Sequence, residues 1–331
     1  MNERLDDSLT AQRLSFDSIP IVSLAPWFAG GTNEQVEVAN RINSICRNVG
    51  FMYISDHGIP ESMLQSVFDA AQQFFAFSDD EKADVHYSKS SYHRGYIPLG
   101  GESTDPAAKA DQKEAFDCGL IYTVDEAKYP DAAVRAMTPN LWPKSIPRFR
   151  DDVERYLDSV TCLARTLFTI WAVGFGMPRN FFEEKIDSPI AQLRLLHYPC
   201  ADGPVDLDYL GIGTHCDYEC LTILAQDDVG GLQVKNSIGQ WVEAPPIKGT
   251  FVVNIGEMMA RWTNDIFVAT PHRVINRSRR ARYSIPFFFA TNYDTAISCL
   301  PTCVMPNCPA RYEPVVAGQY LAKRLKDIYG V

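Results

Sequence analysis

After Asp187 the chain breaks into short apolar runs separated by Gly, Pro, Asn and Asp: QLRLLHY, LTILAQ, GLQVK, QWVEA, TFVVNI, HRVIN and RYSIPFFFA. Runs of this length, rich in β-branched and aromatic residues and bounded by turn formers, read as strands. Closely spaced short strands bury their apolar faces in a closed barrel or in two sheets packed face to face. A β core of that kind is therefore expected over residues 190–300.

The first half reads differently. Residues 33–50 place Val36, Ala39, Ile42, Ile45 and Cys46 at helical spacing, and residues 61–77 repeat the pattern. A longer helix is expected from Ser145, as its N-cap, to about Gly174, with Phe149, Val153, Tyr156, Leu157, Val160, Leu163, Leu167 and Ile170 as its apolar stripe. Residues 312–329 read as a final helix. No internal repeat or low-complexity tract is visible. The expectation is one α+β unit over residues 1–331, with a mainly helical region over 1–150.

Composition narrows the function. With 46% hydrophobic and 22% charged residues, the chain has the balance of a soluble globular protein with a sizeable core. A net charge of −10 repels phosphate backbones, which argues against nucleic acid as a partner. The nine cysteines are odd in number and form no C-x-x-C pair, the pattern of reduced thiols in a cytoplasmic protein. Cys299, Cys303 and Cys308 cluster in sequence but lack the nearby fourth donor that structural zinc requires. The N-terminal MNERLDDSLTAQRLSFD is polar and is not a signal peptide. LFTIWAVGFGM, the longest apolar run, falls short of the roughly 20 residues that span a bilayer. GIGTHC holds a Gly-x-Gly but no following helix or third Gly, so dinucleotide binding is not expected. No membrane and no obligate protein partner are inferred.

The chemistry concentrates in THCDYECLTIL, residues 214–224. On a strand, residues i and i+2 share a face, so His215 and Asp217 are expected to project together. An imidazole nitrogen and a carboxylate oxygen suit a divalent transition metal. His272, in ATPHRVIN, can supply a third donor from another strand. Two His and one carboxylate on one face leave coordination positions open for a co-substrate and O₂, the facial arrangement of non-haem Fe(II) oxygenases. Of the six histidines, His57, His86, His93 and His197 have no such partner and are read as structural. Ten residues after His272, Arg282 and Ser284 share a strand face, and a guanidinium with a hydroxyl makes a clamp for a carboxylate. Arg277, Arg279 and Arg280 read instead as a solvated turn.

Together these residues resemble the isopenicillin N synthase-like family of Fe(II)- and 2-oxoglutarate-dependent oxygenases. The likeness also runs through IPIVSLAPW, RNVGFMYISDHGIP, HRGYIPLGGE, DQKEAFDCG, GLQV and FVVNIGEMMARWTND. It implies a double-stranded β-helix (jelly-roll) core flanked by helices. It implies Fe(II) on His215, Asp217 and His272, and the distal carboxylate of 2-oxoglutarate on Arg282 and Ser284, with Tyr198 also reaching that co-substrate. Many plant members carry Asn two residues before this tyrosine; Leu196 stands there in this chain, so that contact is lost. The implied reaction consumes O₂, converts 2-oxoglutarate to succinate and CO₂, and hydroxylates or desaturates an unactivated C–H bond of a small molecule. Amino acids, terpenoids, flavonoid-like aromatics and other secondary metabolites are all substrates within the family.

Alternation extends the pocket. If Tyr198 faces inward, so do Leu196 and Arg194, and Arg194 becomes either a partner for a substrate carboxylate or a structural ion pair. Phe288 falls on the face of Ser284 as an apolar wall, and Phe116, Tyr92 and Arg94 are candidates for the opposite side; ordinary core packing is the alternative for each aromatic and a structural salt bridge the alternative for Arg94. Two other readings stand beside the main one: an oxidase of the same fold that uses no 2-oxoglutarate, and a non-catalytic small-molecule binder.

Overall fold

The computed structural model describes residues 18–90, 94–103, 111–122, 139–200, 210–276 and 278–329. Its strands, in chain order, are β1 (Ile21–Ser23), β2 (Phe51–Ser55), β3 (Gly95–Ile97), β4 (Glu114–Gly119), β5 (Pro189–Tyr198), β6 (Ile212–His215), β7 (Leu221–Gln226), β8 (Leu232–Lys235), β9 (Trp241–Glu243), β10 (Thr250–Ile255), β11 (His272–Val274), β12 (Arg282–Asn292), β13 (Ala296–Ile297) and β14 (Val315–Val316). Eight form one sheet in the order β1-β2-β10-β7-β12-β5-β4-β3, and four form a second in the order β6-β11-β8-β9. The cavity between them is lined from both sheets, by Leu196, Tyr198 and Ser284 on one side and Ile212, Leu232 and Val274 on the other. This is an α+β jelly roll with flanking helices. The first half supplies more than helices, since β1 to β4 extend the large sheet at both ends.

The two long strands set the frame. β12 pairs antiparallel with β5 in a register that places Arg282 opposite Tyr198, Ser284 opposite Leu196 and Phe287 opposite Leu193. With a period of two, Arg282, Ser284, Pro286 and Phe288 face the cavity, as do Gln192, Arg194, Leu196 and Tyr198. Phe287 and Phe289 point the other way and are fully buried.

That outer face is covered by the helix Phe149–Gly174, whose Val153, Leu157, Val160, Leu163, Leu167 and Ile170 form a continuous buried stripe. Phe168 meets Trp171 and Phe182 edge-on at 5.1 and 5.3 Å, and reaches Phe289 of β12 at 5.5 Å. The helices Thr32–Asn48 and Glu61–Phe75 pack beside it. The expected N-cap at Ser145 is corrected: the helix begins at Phe149, behind Arg148 in a left-handed conformation with φ 67° and no side-chain cap. Pro147 disfavours helical dihedrals at Ile146, so the helix does not run on from Ser145. The terminal helix covers Ala317–Tyr329, five residues shorter at its start than the sequence pattern suggests.

Because Phe168 joins the helical layer to the back of the cavity-forming strand, Phe168→Ala is expected to lower unfolding free energy by about 3–5 kcal/mol. Chemical denaturation followed by circular dichroism measures this; a loss below about 1 kcal/mol would mean the site collapses easily and the contact is not structural.

Candidate active site

Three donors converge where the small sheet meets the large one. β6 ends at His215, and β11 begins at His272; the two strands pair antiparallel with these residues opposite each other. Their rings lie 4.3 Å apart between centroids. Asp217 is not on the strand, as the alternation argument had it: β6 stops at His215, and the carboxylate arrives from the turn that follows. Its Oδ1 lies 3.5 Å from Nε2 of His215 and 3.6 Å from Nε2 of His272. Among the described residues this is the one group of three or more His, Cys, Asp or Glu with donor atoms close enough to share a metal, all within 4.8 Å of one another. Cys299, Cys303 and Cys308 form no such group; Cys299 and Cys308 instead hydrogen-bond the side chain of Asn264.

Hydrogen bonds decide which atoms are available. Nδ1 of His215 lies 2.8 Å from the Gly213 carbonyl, and Nδ1 of His272 lies 3.2 Å from that of Thr270. A carbonyl only accepts, so each Nδ1 carries the proton and each Nε2 keeps its lone pair for a metal. Oδ2 of Asp217 accepts from the Thr222 hydroxyl and, at 2.7 Å, from Nδ2 of Asn254, which leaves Oδ1 toward the imidazoles. The turn carrying Asp217 is strapped to the segment Gly256–Met258: Gly256 N donates to Cys220 O, Glu257 N to Asp217 O and Met258 N to Tyr218 O, at 3.1, 2.8 and 3.1 Å. Gly256 permits this approach, since a Cβ there would sit 2.1 Å from the Glu219 carbonyl oxygen.

The electrostatics suit a bound cation. Burial alone would raise the Asp217 carboxyl, but His272 and His215 beside it, with the Asn254 hydrogen bond, outweigh burial and hold it well below the usual carboxylate range. Burial and then the neighbouring His215 push His272 down to about 4, so its Nε2 is a free donor at neutral pH. Burial lowers His215 too, but Asp217 outweighs it and raises that imidazole. Burial and Asp217 together raise Glu219, two residues on, to about 7.

Above this cluster lies a buried cation. Arg282 is inaccessible to solvent. One terminal nitrogen donates to Ser284 Oγ at 3.0 Å, the other to Gln226 Oε1 at 3.3 Å, and the guanidinium stacks 4.7 Å from the Tyr198 ring centre. Its Nε has no hydrogen-bond partner. Among the described residues no carboxylate lies within ion-pair distance of it; the neighbouring Asp227 accepts from the backbone amides of Tyr283 and Val229. A buried charge without a counterion is costly, so the position is built for an anion brought in from outside.

The remaining sequence candidates divide. Leu196 and Phe288 line the cavity, whose volume is about 140 Å³. Arg194 also lines it, but its donors are committed: Nε and Nη2 bond Asp117 at 2.7 and 2.6 Å, and Nη1 and Nη2 bond Glu102 at 2.9 and 3.0 Å. This is the structural ion-pair arrangement. Phe116 is corrected. It is fully buried on the opposite face of β4 from Asp117 and packs on Phe74, Phe149 and Trp142, so it forms no cavity wall. Arg94 is buried against Gly119, where an added Cβ would fall 2.3 Å from its guanidinium, in electrostatic reach of Asp117, and is not among the residues that line the cavity. Tyr92 and His93 lie outside the described residues. His57 packs on Phe251, His86 caps Ser88 and His197 pairs with Glu114, as structural histidines do. Sequence reasoning missed Thr222, Asn254, Gln226, Glu102 and Glu219. An asparagine inside the apolar run TFVVNI was the visible signal for Asn254.

A two-His, one-carboxylate centre beside a buried arginine inside a jelly roll is the arrangement of non-haem iron oxygenases that take an anionic co-substrate. Residues 189–291 match the 2OG-Fe(II) oxygenase superfamily, and residues 19–145 match the family described as non-haem dioxygenase in morphine synthesis N-terminal. The 2-oxoglutarate-Fe(II) type oxidoreductase hxnY of Emericella nidulans is 33% identical over 94% of this chain and 90% of its own. A homoarginine-6-hydroxylase of Glycine max is 35% identical over 94% of this chain and 97% of its own. A Neurospora crassa protein crystallised with alpha-KG superposes with a TM-score of 0.83 at 30% identity, covering 93% of this chain and 96% of that one. The chain belongs to the 2OG-Fe(II) oxygenase superfamily. It is an Fe(II)- and 2-oxoglutarate-dependent dioxygenase acting on a small molecule.

Two outcomes are expected from these contacts. Asn254→Ala removes one of the two hydrogen bonds on Oδ2 of Asp217 and should weaken Fe(II) binding by about 10–100-fold, read by anaerobic metal titration, with the protein still folded. Arg194→Ala removes the guanidinium bonded to the buried Asp117 and leaves Glu102 to Lys113, and should cost about 3–5 kcal/mol in denaturation; a stable variant with selectively lost substrate affinity would restore Arg194 as a substrate contact.

Proposed function

We propose that the cavity between the two sheets is the active site, with Fe(II) on His215, Asp217 and His272 and the distal carboxylate of 2-oxoglutarate on Arg282 and Ser284. The observation that carries this reading is the inaccessible, ion-pair-free Arg282 on the same cavity as the three donors. The donor set fits the metal: two imidazoles turn Nε2 toward one carboxylate oxygen, and no fourth acidic or thiol group joins them among the described residues. Iron supplies O₂ activation coupled to oxidative decarboxylation of 2-oxoglutarate.

The protein's part is placement and exclusion. Thr222 and Asn254 fix the carboxylate, and the backbone carbonyls of Gly213 and Thr270 fix the ring orientations. Tyr198 holds the plane of the Arg282 guanidinium, and Ser284 offers its hydroxyl beside it. Leu196, Leu224, Leu232, Val274 and Phe288 give the cavity apolar walls against which a substrate can exclude water from the reacting C–H bond. Hydroxylation or desaturation of such a bond is the reaction class. Glycine max and Oryza sativa relatives named homoarginine-6-hydroxylase, and the Neurospora crassa protein solved with thymine, support a small, polar, nitrogen-bearing substrate. No helix of the described residues is long and apolar enough to cross a membrane, and all nine cysteines are free thiols, which supports a cytoplasmic setting.

The test is stoichiometric. Purified protein with Fe(II), O₂ and 2-oxoglutarate should release succinate; a chelator should stop release and Fe(II) should restore it. Arg282→Ala removes the buried cation and should raise the KM for 2-oxoglutarate by about 30-fold or more, since truncating one partner of a buried charge pair costs about 2–5 kcal/mol. Oxidised product without succinate would favour the 2-oxoglutarate-independent oxidase instead.

A further inference from the structure

The charges around the cavity do not balance, and one residue accounts for the difference. On the cavity side of β4 and β5, Arg194 is bonded to Asp117 and Glu102, Lys113 pairs with Glu102 at 2.5 Å and Asp111 at 3.6 Å, and Arg94 lies in electrostatic reach of Asp117. Three cations thus meet three acids. At the centre, Arg282 and a bound Fe(II) would together offset Asp217 and the two carboxylates of 2-oxoglutarate. Glu219 is left over. It lines the cavity and keeps part of its surface accessible there. Among the described residues no cation lies within ion-pair distance of it; its neighbours are the backbone amides of Tyr218 and Glu219 and, farther off, the already committed Arg194.

Its position is fixed. The turn that carries it is held by the three backbone hydrogen bonds to Gly256–Met258, and its own carbonyl lies against Gly256. Two residues of chain span at most about 7 Å, so the Glu219 backbone sits within that distance of the iron ligand Asp217. The same cavity also has apolar lining, from Leu196, Leu224, Pro286 and Phe288.

We propose that Glu219 is a specificity-determining residue that binds an ammonium or guanidinium group of the substrate, with the oxidised carbon close to that nitrogen and the rest of the molecule against the apolar wall. This rests on the assignment of the cavity as the active site. An acid in a low-dielectric pocket discriminates strongly between a cation and its neutral isostere, because the neutral molecule leaves the carboxylate desolvated and unpaired. Arg194, with its donors spent on Asp117 and Glu102, is not the residue that selects substrate.

The test uses the Fe(II)- and 2-oxoglutarate-loaded protein under anaerobic calorimetry, with matched probes: L-arginine against L-citrulline, L-lysine against L-norleucine, and methylguanidinium against methylurea. At least one cation should bind about tenfold or more tightly than its isostere, and Glu219→Gln should abolish that preference while Glu219→Asp retains part of it. A wild-type panel in which no cation outbinds its isostere overturns the proposal, as does a preference that survives in Glu219→Gln. If Glu219→Gln does not fold, the wild-type panel and Glu219→Asp still decide. Wild-type protein that releases succinate yet shows no cation preference removes Glu219 alone; protein that never consumes 2-oxoglutarate removes the active-site assignment beneath it.

Discussion

The antiparallel pairing of β6 with β11 is the constraint on which the site depends. It sets His215 and His272 opposite each other at adjoining strand ends, so two donors separated by 57 positions become neighbours through backbone hydrogen bonds alone. The third donor depends on the same junction. Asp217 leaves β6 just past its end and is caught by the glycine-permitted approach of Gly256 and by Asn254 of β10, a strand of the other sheet. The metal site is therefore a joint between the sheets, and its geometry is only as good as their docking.

Charge is arranged around that joint in layers. Deepest is Arg282, a buried cation with no acid within ion-pair distance among the described residues, to which we assign the distal carboxylate of the co-substrate. Next is the metal trio, whose one carboxylate stays ionised through its imidazole neighbours. Along the cavity's β4–β5 side, Arg194, Lys113, Glu102 and Asp117 pair with one another in a network of ion pairs. Buried networks of this kind are costly if one member is lost, which makes them poor places to vary specificity. Glu219, without an ion-pair partner among the described residues and lining the cavity, is where variation carries the least structural cost.

Much of this was legible in the chain. Each of the seven short apolar runs became a strand, and the stripe on residues 149–170 became the buried face of a helix, because both are periodic signals of local backbone geometry. Ser145 failed as a cap because Pro147, two positions on, set the backbone first. Phe116 was misplaced because every residue of β4 is buried; a strand covered on both faces shows no alternation from which to read direction. Thr222, Asn254 and Gln226 were missed because a polar residue in an apolar strand announces a partner without naming it.

The sequence alone determined the donor types, the order of strands and helices, and the shared face of Arg282 with Ser284 and of Arg194 with Tyr198, since these follow from covalent order and a two-residue repeat. Only the tertiary structure decided that Arg194 is spent on Asp117 and Glu102, that Arg282 is not spent on any acid among the described residues, and that Glu219 is left facing the cavity. Charge compensation is a property of what lies across a gap, and strand order in a folded sheet, not position along the chain, determines what lies across.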